Sequence, residues 1–165
     1  MYLLNSLLIH SASESETPAL INPYLRKNLQ HTFYYFRLGD GVKKNGKSIS
    51  LSNKREERYL DLEPGDFAVI KTLEKFALSE QLIGIFGQTS ELAKNGIQVL
   101  HSPFIDPGYI GELEIGIKNV GPETFNLEYG ASRIGKVCFF DISDTYPINI
   151  KKTSDFYKRF LESQA

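Results

Sequence analysis

The chain has 165 residues, enough for one well-buried domain and too few for two of ordinary size. Nineteen Lys and Arg stand against 20 Asp and Glu, a formal net charge of -1, which supplies no general field to hold nucleic acid or an acidic membrane. The single cysteine, Cys138, excludes an internal disulfide framework and any zinc site built from several thiolates, and it suits a reducing, cytoplasmic setting. Hydrophobic residues at 41% and charged residues at 24% describe a folded chain, and 11 Phe with nine Tyr favour a β-rich core.

In chain order, Met1 to Ile9 (MYLLNSLLI) is apolar but short and lacks a basic leader. It reads as a docking helix or strand rather than a signal peptide. No apolar run approaches the roughly 20 residues of a membrane-spanning helix. From Tyr34 to Ile142 short apolar or alternating runs are punctuated by Gly, Pro and Asn, the pattern of an all-β sandwich or barrel in one domain spanning 1–165. Tyr34–Leu38 is a strand ended by Gly39-Asp40-Gly41. Lys43–Lys47 (KKNGK) is a hairpin tip around Asn45-Gly46, with Ser48–Leu51 returning. Leu62-Glu63-Pro64-Gly65-Asp66 turns into a strand over Phe67–Thr72, and Ile83–Phe86 is another. Gln88–Asn95 holds one or two helical turns stopped by Gly96. Gly111–Asn119 alternates, with Leu113, Ile115 and Ile117 on one face and Glu112, Glu114, Gly116 and Lys118 on the other. Thr124–Leu127 and Arg133–Ile142 complete the β run, and Ser154–Ser163 is expected to be helical.

His10, His31 and His101 are widely separated, with no paired-ligand spacing, and there is no Walker A loop, GxGxxG or GxSxG. Two loops are poorly explained by packing. Gly87-Gln88-Thr89-Ser90 opens a short helix with hydroxyls, suited either to a phosphate or simply to capping by Thr89 or Ser90. Phe104-Ile105-Asp106-Pro107-Gly108-Tyr109 sets an acid and an aromatic three apart on a Pro-Gly turn.

Together with their neighbours these loops resemble the dCTP deaminase and trimeric dUTPase superfamily. Leu62–Phe67 with Thr72-Leu73-Glu74 is similar to its "L-x-P-G-x-(F)…T-x-E" pair, and GQTSELAKNG (87–96) to "GRSSLAR-x-G" with one extra residue. Ile105–Gly111 matches "I-D-P-G-(W/Y)-x-G", with Asn119 at that segment's closing Asn. Arg133–Val137 resembles "I-(G/A)-Q-L", and QHTFYYFRLG (30–39) resembles "Q-P-A-S-Y-D-x-R-L-G". The resemblance implies a β-clip or distorted jelly-roll with short helices at the N-terminus, after the GQTS loop and at the C-terminus. It also implies a homotrimer with deoxynucleoside triphosphate (dCTP or dUTP) sites between subunits, and Mg²⁺ carried by the triphosphate rather than zinc. Asp106 matches an acid that holds water and Tyr109 the aromatic beside the sugar. Thr89, Ser90, Lys94, Arg133 and Lys136 match or replace phosphate contacts.

The chemistry departs from that pattern. The water-activating Glu of the deaminases falls, by the same alignment, on Gly116, the ninth residue after Pro107. A glycine moves no proton. Glu114, two residues away on the same strand face, reads either as a base for a shifted substrate or as a solvent-facing or subunit-interface charge. The Arg of GRSS becomes Gln88 or Thr89, the Arg ending that helix becomes Lys94, and 150–165 lacks the glycines of a dUTPase arm. The expectation is a trimeric nucleotide-binding member weak or inactive in deamination. The alternatives are an active zinc-independent dCTP deaminase or a dUTP-hydrolysing enzyme.

Overall fold

The structure is a computed structural model that describes residues 1–143. The helix expected over Ser154–Ser163 lies outside the described residues. In chain order the elements are β1 (Tyr2–Leu3), α1 (Ser6–Glu14), β2 (Ile21–Asn22), β3 (Leu29–Gln30), β4 (Phe33–Lys44), β5 (Lys47–Ser50) and β6 (Tyr59–Leu62). There follow β7 (Phe67–Ala77), β8 (Leu82–Gln88), α2 (Ser90–Lys94), β9 (Ile97–Leu100), β10 (Phe104–Ile105), β11 (Ile110–Asn119), β12 (Phe125–Glu128) and β13 (Arg133–Asp141). Among the described residues the order β10-β8-β13-β4-β7-β11-β9 runs through one antiparallel sheet, which curls around a single core, and β12 pairs with β6 beside it. This is the all-β fold that the alternation announces.

The apolar N-terminus is both strand and helix. Leu3 pairs with Phe140, and Asn5 then caps α1 by accepting the N–H groups of Leu7 and Leu8 at 3.0 and 3.1 Å. Ile9 on α1 is fully buried. The KKNGK tip forms the expected two-residue turn: Lys44 pairs with Lys47, and Asn45 and Gly46 have φ of 46° and 83°.

Gly39-Asp40-Gly41 does not end its strand. β4 continues to Lys44, and its register with β7 slips between Leu38 and Val42. The glycine is required there because a Cβ on residue 39 would sit 2.6 Å from the Thr72 carbonyl oxygen. The pair therefore marks a bulge, which lets the two backbones approach, rather than a turn.

β7 is also longer than its apolar pattern suggests, because Glu74 points into the core. Its carboxylate accepts Arg37 Nε at 2.7 Å, the Arg37 backbone N–H at 2.8 Å and the Tyr34 hydroxyl at 3.3 Å. Arg37 also donates to the Gly130 carbonyl at 3.2 Å. Burial, then the Glu74 charge, pushes the Tyr34 phenol well above its ordinary value. Around this knot Phe36 meets Phe76 and Phe86 edge-on at 6.0 and 5.8 Å between centroids.

The turn before β7 is pinned by Asp66. Lys44 Nζ and Asn45 Nδ2 each donate to its carboxylate at 2.7 Å, and the Glu63 N–H donates at 2.9 Å. These hydrogen bonds hold the Asp66 carboxyl down at about 2, below an ordinary aspartate. A depressed aspartate stabilises the fold above its unfolded value near pH 4, and that contribution is lost as pH falls towards 2. The melting temperatures of wild type and Asp66→Asn are accordingly expected to differ most above pH 4 and to converge between pH 4 and pH 2. A constant difference across that range would contradict the linkage.

Candidate functional site

The GQTS loop joins β8 to α2, and hydrogen bonds fix its first residues. Gln88 Oε1 accepts the Val99 N–H at 3.2 Å, tying the loop to β9. Thr89 is buried and caps α2, its hydroxyl oxygen accepting the Leu92 N–H at 3.4 Å. Ser90 and Lys94 are exposed on the short helix.

Arg133 opens β13. Its Nη2 donates to Asn28 Oδ1 at 3.0 Å, and the guanidinium stacks 5.0 Å from the centre of the Tyr35 ring. Lys136 pairs in register with Tyr35 and Gly87, and its ammonium lies 5.0 Å from the Phe33 ring centre. A cleft of about 320 Å³ runs between the start of α2 and β12, lined by Glu91, Leu92, Asn126, Glu128, Ser132 and Arg133 among others. Arg58 neutralises Glu128 through a close contact to its carboxylate, 2.7 Å from Nε. Among the described residues, Arg133 is the one cation lining this cleft, alongside Glu91 and the Arg58-paired Glu128.

The Asp106–Tyr109 turn stands elsewhere. Asp106 is exposed, and the turn closes on the end of β7 through Leu78 N–H to the Tyr109 carbonyl at 2.9 Å. The Tyr109 hydroxyl donates to the Glu112 carbonyl, and burial followed by the charges of Glu114 and Glu112 raises its phenol. Glu114 is exposed and lies 3.4 Å from Lys71 Nζ. Lys71 and Lys75 each reach Glu112 at 3.9 Å, which makes this a solvated charge ladder across β7 and β11.

Gly116 lies between Val69 of β7 and Leu100 of β9. A Cβ there would press to 3.0 Å on the Leu100 carbonyl oxygen and 3.3 Å on the Phe67 ring. A side chain at this position would need β9 or the Phe67 ring to give by a few tenths of an ångström.

The structure thus gathers the expected residues into two groups. Ser90, Lys94, Arg133 and Lys136, with Thr89 beneath, belong to the α2 and β13 end. Asp106, Tyr109 and Glu114 belong to the other. β8 separates them: Lys136 pairs with Gly87, whereas Ile105, just before Asp106, pairs with Gly84. At roughly 3.4 Å per residue the two ends lie on the order of 10–14 Å apart along that strand. A single chain leaves these groups apart. The residues not singled out from the sequence are Arg37 and Glu74. Their signal was present in the R-L-G and T-x-E matches, which carry the buried ion pair.

Three comparisons bear on this arrangement. The family profile described as dCTP deaminase-like matches residues 8–142. The dCTP deaminase of Pyrococcus horikoshii is 30% identical over 125 residues, covering 76% of this chain and 77% of that protein. A "dCTP deaminase, dUMP-forming" of Tropheryma whipplei is also 30% identical over 125 residues, covering 74% of this chain and 61% of that protein. Among solved structures, the 2'-deoxycytidine 5'-triphosphate deaminase of Agrobacterium tumefaciens superposes with a TM-score of 0.68 at 16% identity. That superposition covers 83% of this chain and 47% of the solved one, so the chain matches about half of that protein's length.

Proposed function

We propose that this chain, which belongs to the dCTP deaminase-like family, is a homotrimer that binds a deoxynucleoside triphosphate between its copies and does not deaminate cytosine. The observation that carries the reading is Gly116, which offers no base and where a Cβ would press to 3.0 Å on the Leu100 carbonyl oxygen. Deamination needs a group within hydrogen-bond reach of the attacking water, able to take its proton and pass it to the leaving amine. Glu114 lies roughly 6.5–7 Å further along the same strand face. It is solvated and paired with Lys71. What remains in place is binding chemistry. Ser90, Lys94, Arg133 and Lys136 supply a hydroxyl and three cations for phosphate oxygens, and Asp106 with Tyr109 supplies a carboxylate and a ring beside a sugar.

The shared site follows from the separation of the two groups, because a second copy is the simplest source of the missing half. Among the described residues no group of three or more His, Cys, Asp or Glu is placed to hold a metal ion. Mg²⁺ would arrive on the triphosphate itself, as it commonly does. Such an ion would supply neutralisation of phosphate charge, and Ser90, Lys94, Arg133 and Lys136 would bind and orient the nucleotide.

Thermal-shift titration with dCTP, dUTP and dTTP, each with and without Mg²⁺, tests the binding. A hydrogen bond to a charged group contributes about 1.5–3 kcal/mol, so each lost contact weakens binding roughly 10- to 150-fold. Lys94→Ala with Arg133→Ala is expected to abolish the shift, whereas Glu114→Gln leaves it nearly unchanged. A double variant that still binds as the parent does would overturn the phosphate assignment.

A further inference from the structure

Away from the residues discussed above, α1 and the short helical turn Arg26–Asn28 border a cavity of about 190 Å³, lined by Ser6, Leu7, His10, Arg26, Leu29 and His31. His10, Arg26 and His31 are basic, and none of the lining side chains is acidic. Arg26 makes no ion pair with a carboxylate among the described residues. It meets an imidazole instead, with Nη1 2.7 Å from His10 Nε2. A guanidinium only donates, so Nε2 accepts and the ring proton sits on Nδ1, which donates to the Tyr24 hydroxyl at 3.1 Å. His31 holds the left-handed conformation at φ 54°, and its side chain lines the same cavity.

A second arrangement is built into this cluster. Glu14, one turn along α1, brings Oε2 to 3.4 Å from the same His10 Nε2. A protonated His10 cannot accept from Arg26 and donates Nε2–H to Glu14 instead. Arg26 is then repelled by the imidazolium and freed beside the cavity. The groups around His10 are thus Tyr24 and Arg26 from the segment between β2 and β3, His31 on the cavity wall, and Glu14 on its own helix.

We propose that this cavity binds a small inorganic oxyanion of the phosphate or sulfate type, and binds it more tightly as pH falls. Size and donor type select that class. Pockets for drug-sized molecules run from roughly 300 Å³ upwards, so this one suits a tetrahedral anion and not a nucleoside triphosphate. The Arg26 guanidinium, the imidazoles and the Ser6 hydroxyl all present donors to its oxygens. Protonation of His10 acts twice: it releases Arg26, and it neutralises Glu14, the acid whose charge opposes an anion here. The site shares no residue with the proposed nucleotide contacts and stands independently of them.

Proton magnetic resonance of the imidazoles tests it, since the chain has three histidines and the third, His101, stacks on Phe86 outside this cavity. Sulfate keeps both charges from pH 6 to pH 8, so a pH dependence belongs to the protein. At an ionic strength held constant with chloride, sulfate is expected to move the His10 and His31 signals saturably and leave His101 in place. Its affinity should be roughly tenfold or more higher at pH 6 than at pH 8, the worth of one hydrogen bond to a charged group. Arg26 is exposed, so Arg26→Gln is expected to fold, checked by circular dichroism, and to lose the response. His10→Gln keeps an acceptor for Arg26 but takes no proton, and should lose most of the gain at pH 6. His10 and His31 signals that ignore sulfate at both pH values, or that respond equally in Arg26→Gln, would overturn the site. Equal affinity at the two pH values would overturn its control by His10. Signals moved by dCTP with Mg²⁺ but not by sulfate would overturn the proposal while leaving nucleotide binding standing.

Discussion

Glu74→Ala is expected to lower stability by about 3–5 kcal/mol, the usual cost of removing one partner from a buried ion pair. In a chain of this size that is a fall in melting temperature of roughly 6–20 °C. The cost is large because the carboxylate satisfies three donors: the Arg37 side chain, the Arg37 backbone N–H and the Tyr34 hydroxyl. The substitution leaves a guanidinium that is 11% exposed and still donates to the Gly130 carbonyl. Replacing both partners, Arg37→Leu with Glu74→Leu, should recover part of the loss by removing the stranded charge. It cannot recover all of it, because the backbone N–H and the phenol still lack their acceptor. A Glu74→Ala protein that melts within 2 °C of wild type would show that the knot contributes little.

Gly116→Glu is the second large effect. If space were no obstacle, restoring a carboxylate at the expected position would return a factor on the order of 10²–10⁴ in rate. The crowding predicts otherwise. The new Cβ meets the Leu100 carbonyl oxygen, a backbone atom of β9, as well as the Phe67 ring. Overpacking of this kind costs about 1–3 kcal/mol. The variant is expected to melt lower than the parent and to release no measurable ammonia from dCTP. Robust turnover by a well-folded variant would show that β9 yields readily and that the rest of a deaminase site is intact.

How far the fold was legible depended on the kind of signal. Gly111–Asn119 alternates strictly, and it is the strand β11 with Leu113, Ile115 and Ile117 inside. Asn45-Gly46 requires two left-handed residues, and that requirement fixed the hairpin. The glycines of Gly39-Asp40-Gly41 carry two readings, a turn or a close backbone approach, and only the position of Thr72 decides between them. The charged residues Glu74 and Lys75 concealed the second half of β7, since the burial of Glu74 depends on Arg37, far away in the sequence. Strands of two residues such as β1, β2, β3 and β10 are too short to show any alternation.

For the site, the dual character of the GQTS loop was legible, and the cap is visible in Thr89. Arg133 was legible as a cation but not as one already engaged by Asn28 and Tyr35, since those contacts depend on β3 and β4 folding against β13. Nor did the sequence reveal that Asp106 and Lys136 stand at opposite ends of one strand. Linear order does not show which strands become neighbours.

The most direct test is equilibrium dialysis of labelled dCTP with Mg²⁺ against the full chain, followed by chromatography of the nucleotide recovered from the protein side. The expected result is dCTP retained by the protein and recovered unchanged, with retention lost in the Lys94→Ala, Arg133→Ala variant. Recovery as dUTP or dUMP with ammonia, at a rate of roughly one per second or faster as enzymes ordinarily achieve, would contradict it and make Glu114 the first residue to test as the base.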